Sequence, residues 1–396
     1  MGKQIKDPVH GYIEVPDELI PLLDSPAVQR LHAIRQLGFS YLVYPGANHT
    51  RFEHSLGTLY LANEISQYIE LPKDETLLVC TAALLHDVGH GPFSHSSERL
   101  KQGYEEFFHD NILPYVPELK GYCDEIGCDP KEVAGIINGN HRLASIIHGD
   151  LDVDRMDYLL RDAHYTGVPY GKLDANRLIQ SLIFSNEDGL ILKDSGIAAA
   201  EALLIARTLM GPTVYYHHVS RIAEEMFLLA GRHHFTKDTI NAFMRMDDVT
   251  GMVELLNSEN TVTQNLMERI RTRRLFKRAV YAGREQVDME RVATMRPEKI
   301  ERTRLEIAET AGVAEEDVIL DIPNLRKEMN MQVKVQLHHD VVPFEKVVPL
   351  LSLMNKTRRE QWRLGVYTRP ELTDNVRQAT EAVLSISKLT QQKILF

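Results

Sequence analysis

The sequence predicts a mainly α-helical protein with a smaller α+β region at its C-terminal end, and three observations lead to this fold class. Long stretches such as Phe52–Ile69 carry apolar residues at helical spacing. Glycine and proline separate these stretches, and no internal repeat is present. Beyond about residue 250, short runs of β-forming residues alternate with helix-like segments. We therefore predict a helical core over residues 1–250 and a C-terminal helical and α+β module over residues 251–396.

Composition places the chain among ordinary globular proteins and excludes several other classes. Its 396 residues are 43% hydrophobic and 26% charged, which fits neither disordered nor collagen-like proteins. The net charge of −11 opposes docking to a nucleic-acid backbone or an anionic membrane, so a polyanion must bind in a local cationic pocket. Three cysteines without CxxC spacing indicate neither a disulfide framework nor a thiolate zinc site. We expect a cytoplasmic protein that does not span a membrane.

The helices of the predicted core follow from apolar spacing and from the residues that break it. The first helix covers Phe52–Ile69 and ends before Leu71-Pro72. The second, from Asp74 to about Val88, is apolar almost all round in TLLVCTAALL, which is typical of a helix buried on every side. Further core helices are predicted near Ser94, over Lys131–Asn138, over Leu143–Asp162 and over Gly196–Ala230. In the last of these, Gly211-Pro212 predicts a kink or a break.

The C-terminal module is predicted to combine helices with short strands. A charged helix covers Pro297–Ala311, and its proline occupies a position that suits a helix start. Strands are predicted over Asp317–Ile322, Met331–Leu337 and Gly365–Thr368, and a helix over Val342–Lys356. A basic segment before this region carries Arg271, Arg273, Arg274, Lys277 and Arg278. Such a run is most often a solvated helix face, and the alternative is a nucleotide-binding or nucleic-acid-binding surface.

Two imidazoles and two carboxylates fall on three different predicted helices. They are His54, His86, Asp87 and Asp154. An ionised aspartate at the end of an apolar helix is unfavourable unless a cation or hydrogen bonds compensate it. A mixed nitrogen and oxygen donor set suits Mn²⁺, Fe, Ni²⁺, Zn²⁺ or, less well, Mg²⁺. Each residue alone is as easily a surface or helix-end residue, but together we interpret them as the ligands of one divalent ion that activates water.

A second histidine-rich segment, HGHGPFSHSSE, directly follows the second helix. His95 and Glu98 are three residues apart, so on a helix they share one face. There the carboxylate can orient the imidazole and favour its protonated form, as a general acid requires. The alternative is a solvated turn with a local ion pair.

A polar stripe is predicted along one helix in LDVDRMDYLLRD. Asp154, Tyr158 and Asp162 recur at intervals of four residues, with Arg155 and Arg161 beside them. The opposite face, which carries Val153, Met156 and Leu160, is expected to be buried. The polar stripe therefore lines either solvent or a cleft.

Several long strings, in the same order over roughly the first 230 residues, resemble the HD-domain phosphohydrolases. The strings are KQIKDPVHGYIEV, DSPAVQRLHAIRQLG, YPGANHTRFEHSLGTLYLA, LLHDVGHGPFSH, LDVDRMDYLLRDAHYTG and, more weakly, ARTLMGPTVYYHH. Within that family the chain is most similar to the dNTP triphosphohydrolases that carry a SAM domain before the HD domain. We expect the helical HD core without a SAM domain.

The resemblance implies roles for individual residues around the metal. Metal ligation is implied for His54, His86, Asp87 and Asp154, and phosphate contacts for Arg51, Arg155, Tyr158 and Arg207. It also implies that His95 protonates the leaving 5′ oxygen, with His90 and His109 completing a polar relay. Glu98 occupies a position where the family has an aspartate, so its side chain is longer by one methylene group.

The resemblance further implies a sugar pocket and a regulatory site. Gln36 and Leu37 are expected against the deoxyribose, with Leu37 leaving no space for a 2′-hydroxyl group. Asp162 and Tyr215 are expected to close over the 3′-hydroxyl group and the sugar.

A possible allosteric nucleotide site is implied for Lys3, Asp24 and Gln29. There His32 replaces an arginine of the family's guanine pocket, and His217-His218 replaces a lysine, so we expect guanine to be read poorly or not at all.

These inferences lead to one predicted function. We predict metal-dependent hydrolysis of deoxynucleoside triphosphates to deoxynucleoside and triphosphate, by a homo-dimer or homo-tetramer. The alternatives are hydrolysis of a nucleoside monophosphate, an alarmone or another phosphoester, and a non-catalytic protein that binds nucleotides or nucleic acid.

Overall fold

The structure of the chain is a computed structural model. It describes residues 2–105, 107, 109–112, 115–324, 331–338 and 340–387. The described residues form two compact units. The first unit is drawn from Met1–Tyr215, Thr236–Met252 and Asn330–Leu351, and the second from Tyr216–Phe235, Val253–Met329 and Ser352–Phe396. The predicted domains 1–250 and 251–396 stay a prediction, and the chain passes between the two units more than once.

Helices dominate the described residues, and short strands form three small sheets. In chain order the helices are α1 (Ile20–Leu23), α2 (Pro26–Gln29), α3 (Arg51–Tyr68), α4 (Lys73–Leu85), α5 (His95–Lys101), α6 (Val116–Ile126), α7 (Pro130–Ile137), α8 (Val153–Thr166), α9 (Ala175–Ile179), α10 (Ile197–Met210), α11 (His218–His234), α12 (Ile240–Phe243), α13 (Asp248–Leu256), α14 (Thr261–Arg271), α15 (Met289–Ala293), α16 (Pro297–Ala311), α17 (Phe344–Val347), α18 (Leu350–Glu360) and α19 (Thr373–Leu384). The strands are β1 (Lys3–Asp7), β2 (Gly11–Val15), β3 (Leu182–Ser185), β4 (Gly189–Lys193), β5 (Lys277–Gly283), β6 (Val318–Asp321), β7 (Lys334–Leu337), β8 (Asp340–Pro343) and β9 (Arg363–Thr368). The predicted fold class, mainly α with a smaller α+β part, is confirmed.

Two long helices, α3 and α4, lie in the core of the first unit, as the apolar spacing predicts. The backbone N–H of Thr50, just before α3, donates to Glu53 Oε2 over 2.6 Å, which satisfies one unpaired group at the helix start. Every residue over 79–85 of α4 is buried. The helix therefore carries the residues that follow it into the interior of the unit.

Helix α8 begins later than the sequence indicates. The predicted helix over Leu143–Asp162 is wrong in its first part, where Ala144–Ile146 forms only a 3₁₀ turn. Asp152 starts α8 because its Oδ1 accepts the backbone N–H of Arg155 at 2.8 Å. The helix then ends at Gly167, which has a φ of 74°.

The predicted kink or break at Gly211-Pro212 appears as a change of helix type, since α10 ends at Met210 and a π-helix continues over Gly211–Tyr215. The segment Asp194–Tyr215 is long and apolar enough to cross a membrane, with a mean hydropathy of 1.3. A core helix passes the same test, and 44% of the segment's apolar window is buried in the protein. A cytoplasmic location stays a prediction.

The sheets correct part of the predicted C-terminal module. In the first unit, β1 and β2 form a hairpin, and a four-stranded sheet has the order β3-β4-β7-β8, in which β4 and β7 are parallel. The predicted helix over Val342–Lys356 is wrong at its start, because β8 occupies that part. In the second unit, the antiparallel sheet β5-β9-β6 packs with α16 and α19 around a core that includes Trp362. Two strands predicted for the C-terminal module are thus confirmed there, β6 and β9, whereas β7 joins the sheet of the first unit.

Candidate metal centre and active site

Three helices of the first unit bring the four predicted metal ligands together. His54 lies in the second turn of α3, His86 and Asp87 directly follow α4, and Asp154 lies in the first turn of α8. His54, His86 and Asp87 are buried, whereas the Asp154 side chain is 36% exposed. One side of the cluster is therefore open to a small ligand or to water.

The donor atoms of this cluster lie at the separations that one ion requires. His54 Nε2 is 3.2 Å from His86 Nε2 and 3.0 Å from Asp154 Oδ1. His86 Nε2 is 3.5 Å from Asp87 Oδ1, and the pairs His54–Asp87 and His86–Asp154 are each 3.9 Å apart. Ligands about 2.1 Å from a metal at right angles are about 3 Å from each other. The cluster could hold a divalent metal ion.

The hydrogen bonds behind the two imidazoles support this fit. His86 Nδ1 is 2.7 Å from the carbonyl oxygen of Ala83, and His54 Nδ1 is 2.7 Å from Asp157 Oδ2. Since both partners are acceptors, each Nδ1 carries a hydrogen and each Nε2 faces the other ligands of the cluster. Two Nε2 atoms 3.2 Å apart need a proton or a metal ion between them, and a bound divalent cation would take the place of that proton. Burial disfavours a charged His54, but hydrogen bonds to Asp154 and Asp157 outweigh it and raise the pKa of His54 to about 10.

Arg51 joins the cluster to a possible anion site. Its Nη1 donates to Asp87 Oδ2 over 2.7 Å and its Nε donates to Ser94 Oγ over 2.8 Å. Burial opposes the ionised form of Asp87, yet Arg51 and nearby histidines hold the pKa of Asp87 well below its usual range. The Nη2 group of Arg51 is buried and has no hydrogen-bond partner among the residues described. A buried guanidinium group with a free donor is suited to an anionic oxygen.

The second histidine cluster forms a hydrogen-bonded chain. Glu98 Oε2 lies 3.1 Å from His95 Nδ1 and 3.0 Å from His109 Nδ1, and His109 Nε2 lies 2.6 Å from Asp110 Oδ1. The buried ring of His90 stacks on His109 with 3.9 Å between centroids. The structure therefore brings His90, His95, Glu98 and His109 together, as the resemblance implies.

The charges of this chain follow from its contacts. Burial disfavours protonation of His109, but hydrogen bonds to Asp110 and Glu98 raise the pKa of His109 to about 10. The two histidines overcome the effect of burial on Glu98 and lower its pKa. The His95 side chain is 64% exposed. Desolvation by surrounding groups lowers the pKa of His95, and the charges of Arg51 and His109 lower it further. The hydrogen bond to Glu98 raises this pKa but does not outweigh them. The hydrogen bond to Glu98 favours the protonated form of His95, as predicted, but the surroundings as a whole favour the neutral imidazole.

A turn with unusual backbone angles presents His95 at the start of α5. Phe93 and Ser94 have φ values of 60° and 56°, a region that residues other than glycine rarely adopt. Asp248 Oδ1 accepts the backbone N–H of Phe93 over 2.7 Å, and Ser94 Oγ donates to the carbonyl oxygen of Arg35 over 2.6 Å. These contacts hold the turn in place.

The predicted phosphate contacts lie on two helices. Arg155 Nη1 donates to Asp152 Oδ2 over 2.5 Å on α8. Tyr158 lies one turn further, close enough to Arg207 of α10 for that charge to lower the pKa of Tyr158, although desolvation raises it more. Arg207 forms no ion pair within the part of the chain that the structure describes. These residues could contact a phosphate chain.

The predicted sugar contacts form a hydrogen-bonded group. Tyr215 Oη donates to Asp162 Oδ2 over 2.8 Å, and His49 Nε2 lies 2.8 Å from Asp162 Oδ1. Gln36 is buried, and its Oε1 lacks a partner among the described residues, while Leu37 is half-buried. The Tyr158 and Tyr215 rings meet edge-on at 6.0 Å.

The predicted regulatory residues lie near the N-terminal hairpin. Lys3 Nζ donates to Asp24 Oδ1 over 3.1 Å, with both side chains about half exposed. Gln29 is exposed, and its amide donates to the carbonyl oxygen of Leu23. His32 stacks on Phe52 with 3.6 Å between centroids, and burial lowers the pKa of His32. Lys3 and Asp24 are therefore brought together, whereas Gln29 contacts its own segment.

Three residues of the site are not predicted from the sequence: Asp157, His49 and Ser94. Asp157 had a usable signal, because it falls on the helix face with Val153 and Met156 that was expected to be buried. A charge on a buried face needs a partner. His49 and Ser94 had no such signal, since they act through contacts that depend on the folded loops.

Comparison with known proteins agrees with this geometry. Residues 51–162 match the family model described as the HD domain, and residues 173–395 match the model described as the HD associated region. An uncharacterized protein of Methanocaldococcus jannaschii is 32% identical over 384 residues, which is 95% of this chain and 81% of that protein. An uncharacterized Bacillus subtilis protein is 40% identical over 232 residues, 56% of this chain and 53% of that protein.

A third relative carries a functional name. The deoxynucleoside triphosphate triphosphohydrolase SAMHD1 of Homo sapiens is 27% identical over 409 residues, which is 85% of this chain and 64% of that protein. The chain therefore spans less than two thirds of the length of both the human and the Bacillus relative.

Two solved structures have a similar fold. A hypothetical protein from Aquifex aeolicus has a TM-score of 0.76 at 29% identity and covers 96% of this chain and 100% of its own. A phosphohydrolase from Bacteroides thetaiotaomicron has a TM-score of 0.73 at 26% identity, with 93% and 99% covered. The family models, the relatives and the clustered histidines and aspartates together establish that this chain belongs to the HD-domain phosphohydrolase superfamily.

Proposed function

We propose that this protein hydrolyses deoxynucleoside triphosphates to the deoxynucleoside and inorganic triphosphate, with a divalent metal ion. The observation that carries the proposal is the buried Nη2 group of Arg51, which lacks a partner among the described residues while Nη1 pairs with Asp87. A phosphoryl oxygen next to the metal ligands would satisfy that donor. The names of relatives such as human SAMHD1 support the same substrate class.

The residues of the cluster would hold the ion and neutralise the phosphate chain. When bound, a divalent ion lowers the pKa of water and polarises a phosphoryl oxygen. Arg51 donates to the phosphoryl group that is attacked, and Arg155 and Arg207 offset the charge of the remaining phosphates. Tyr158, whose pKa is raised by desolvation, stays protonated and donates a hydrogen bond.

His95 would protonate the leaving group. Its Nδ1 is hydrogen-bonded to Glu98 Oε2, which leaves Nε2 on the accessible side chain for the substrate. As the bond between the α-phosphorus and the 5′ oxygen breaks, His95 donates a proton to that oxygen. Water supplies the new oxygen on phosphorus, so the products are a deoxynucleoside and triphosphate.

The sugar contacts would favour a deoxyribose. Gln36 offers an unpartnered Oε1 beside the half-buried, apolar Leu37. An apolar side chain at the 2′ position leaves a ribose hydroxyl group without hydrogen bonds and without space. Tyr215 and Asp162, already joined at 2.8 Å, would close over the 3′ side.

A substrate panel tests this proposal. The protein is incubated with dNTPs, NTPs and dNMPs in Mn²⁺ or Mg²⁺, and the products are resolved by chromatography, with an Asp154→Ala variant as the control for contaminating phosphatases. We expect one deoxynucleoside and one triphosphate for each dNTP, and no turnover of NTPs or dNMPs. Release of pyrophosphate, or preferential hydrolysis of monophosphates, would instead support the alternative of another nucleotide or phosphoester substrate.

A nucleic-acid-binding role gains little support from the basic segment. The segment is not one helix face, because it runs from the end of α14 into β5. Arg271 pairs with Glu268 of its own helix through two contacts of 2.7 Å. The cations therefore do not form one continuous groove along a helix.

A homo-oligomer and its regulation remain part of the proposal. Helix α10 exposes Ile205 and Leu209, at 38% and 40%, together with Ala198 and Ala202, and a second copy of the chain would cover this apolar stripe.

A neutral His32 stacked on Phe52 offers fewer donors than an arginine. We expect turnover of dATP and dTTP without GTP, measured alongside mass by light scattering. Turnover and assembly that both require GTP would contradict this expectation.

A further inference from the structure

A second, fully buried polar group lies directly behind the metal ligands. Arg161 donates to both oxygens of Asp157, from Nε to Oδ2 and from Nη2 to Oδ1, each over 2.9 Å. The third guanidinium nitrogen, Nη1, donates to Asp7 Oδ2 over 2.7 Å. All three side chains are buried, and two negative charges face one arginine. The oxygens of the two carboxylates can therefore accept hydrogen bonds from donors other than Arg161.

The same two oxygens of Asp157 each contact an imidazole. His54 Nδ1 lies 2.7 Å from Oδ2, and His10 Nε2 lies 2.6 Å from Oδ1. An ionised carboxylate accepts hydrogen bonds and cannot donate them. The ring of His54 is thus held with its Nδ1 hydrogen on Asp157 and its Nε2 atom toward His86 and Asp154.

The backbone of α3 leaves the space for this arrangement at Gly57. A Cβ atom at that position would overlap Asp157 Oδ1 and Arg161 Nη2. Any larger residue would displace the pair from behind His54. The absence of a side chain at position 57 therefore serves the contact between α3 and α8.

The network reaches the N-terminal hairpin through the turn between β1 and β2. Asp7 Oδ1 accepts the backbone N–H groups of Val9 and His10, over 2.9 and 2.8 Å, and so shapes this turn. Its other oxygen pairs with Arg161. One turn thus supplies both a carboxylate and an imidazole to the group that holds His54.

We propose that Asp157 is the positioning residue of the metal centre, and that the turn Asp7–His10 belongs to the metal-binding apparatus because it fixes Asp157 from the side opposite His54. The inference rests on the metal site of the proposed function and does not depend on the substrate. Residues that orient a metal-bound histidine commonly change metal affinity by about 10- to 100-fold.

The test measures Mn²⁺ binding to metal-free protein by calorimetry or by competition with a chelator. Asp157→Asn places an amide donor against the imidazole and guanidinium donors, and we expect it to weaken Mn²⁺ binding by about 10- to 100-fold. His10→Gln and Asp7→Asn are expected to weaken binding less, in the same direction. The visible spectrum of bound Co²⁺ should also change in Asp157→Asn, because the orientation of His54 alters the ligand field.

The second unit offers a matched control. Asp321 is buried and receives Arg221 through Nε at 2.8 Å and Nη2 at 2.7 Å, with Tyr367 Oη at 3.2 Å. These hydrogen bonds involve no metal ligand. Asp321→Asn removes the charge of another buried aspartate that is paired with an arginine, so it reports the effect of general destabilisation. We expect it to leave Mn²⁺ affinity and the Co²⁺ spectrum unchanged.

Two results would overturn the proposal. The first is wild-type Mn²⁺ affinity in folded Asp157→Asn, and the second is an equal loss in Asp321→Asn. If Asp157→Asn does not fold, His10→Gln and Asp7→Asn decide, and unchanged affinity in both would remove the turn from the metal site. Tight Mn²⁺ binding without nucleotide hydrolysis would contradict only the proposed function, whereas a wild-type protein that binds no Mn²⁺ would contradict both.

Discussion

Two clusters of histidines and carboxylates are close together in the chain, and they are built differently. In the metal cluster, the Nε2 atoms of His54 and His86 face each other at 3.2 Å, and Asp154 Oδ1 lies 3.0 Å from His54 Nε2. In the second cluster, Glu98 Oε2 lies between the Nδ1 atoms of His95 and His109, at 3.1 and 3.0 Å. The first set needs a proton or a metal ion between its two Nε2 atoms, while in the second set Glu98 already pairs with the Nδ1 groups of His95 and His109.

The comparison shows that residue types alone do not separate a metal site from a proton relay. The distinction depends on where each Nδ1 hydrogen goes. In the metal cluster the Nδ1 groups donate outward, to Ala83 and Asp157, and the Nε2 atoms converge. In the relay the Nδ1 groups converge on one carboxylate. Substitutions in the two clusters should therefore have separable effects.

Substitution of a metal ligand should have the largest effect. We expect His86→Ala and Asp154→Ala to lose bound metal and hydrolysis together while the protein stays folded, since the residues behind the ligands cannot hold the ion alone. Metal analysis and circular dichroism check this. Stoichiometric metal with wild-type turnover in Asp154→Ala would show that the ligand set is wrong.

Substitution in the relay should separate metal binding from turnover. We expect His95→Ala to retain metal and nucleotide affinity but to lower kcat by about 10²- to 10⁴-fold, because a general acid acts only as the leaving oxygen gains charge. Steady-state kinetics and metal content measured on the same preparation test this. A rise in KM with unchanged kcat would assign His95 to substrate positioning.

The smallest predicted effect is a pH-dependent change in stability. The folded protein raises the pKa of His109 from 6.5 to about 10, so the stabilisation is complete below pH 6.5 and is lost as pH rises through 10. Because folding lowers the pKa of Glu98, the stabilisation from its ionised form is lost as the pH falls below 4.5. We expect His109→Gln to lower the free energy of unfolding by about 2 kcal/mol between pH 4.5 and 6.5, measured in the presence of a chelator. The difference from wild type should become smaller toward pH 10.

Chemical denaturation of wild type and His109→Gln at several pH values measures this difference. His148→Gln, which changes a histidine outside both clusters, is the control. A difference in free energy of unfolding that grows from pH 6.5 to pH 10 would contradict the assigned charge of His109.

Much of the fold and of the ligand set was predictable because each signal is local. Helical spacing located α3 and α4, and the aspartate that ends an apolar helix pointed to a buried partner for Asp87. Gly211-Pro212 marked the change of helix type after α10. These features depend on residues a few positions apart, so the sequence carries them directly.

The remaining features depend on residues far apart in the chain. The side chain that orients His54 is Asp157. Asp157 in turn contacts His10 of the N-terminal turn, which lies 147 residues earlier in the chain. The pairing of β7 with β4 likewise joins segments that no local pattern connects. The start of α8 was misplaced for another reason, because capping by Asp152 overrides the apolar spacing before it.

The turn at Phe93-Ser94 also bears on the order in which the protein folds. Left-handed angles at two successive non-glycine residues cost roughly 1–3 kcal/mol each, and the chain tolerates them only when surrounding contacts exist. One such contact comes from Asp248, 155 positions further along the chain. We therefore expect the segment that presents His95 to reach its final conformation only once Asp248 has docked. In the native protein, amide hydrogen exchange at Phe93 should report each opening of that contact.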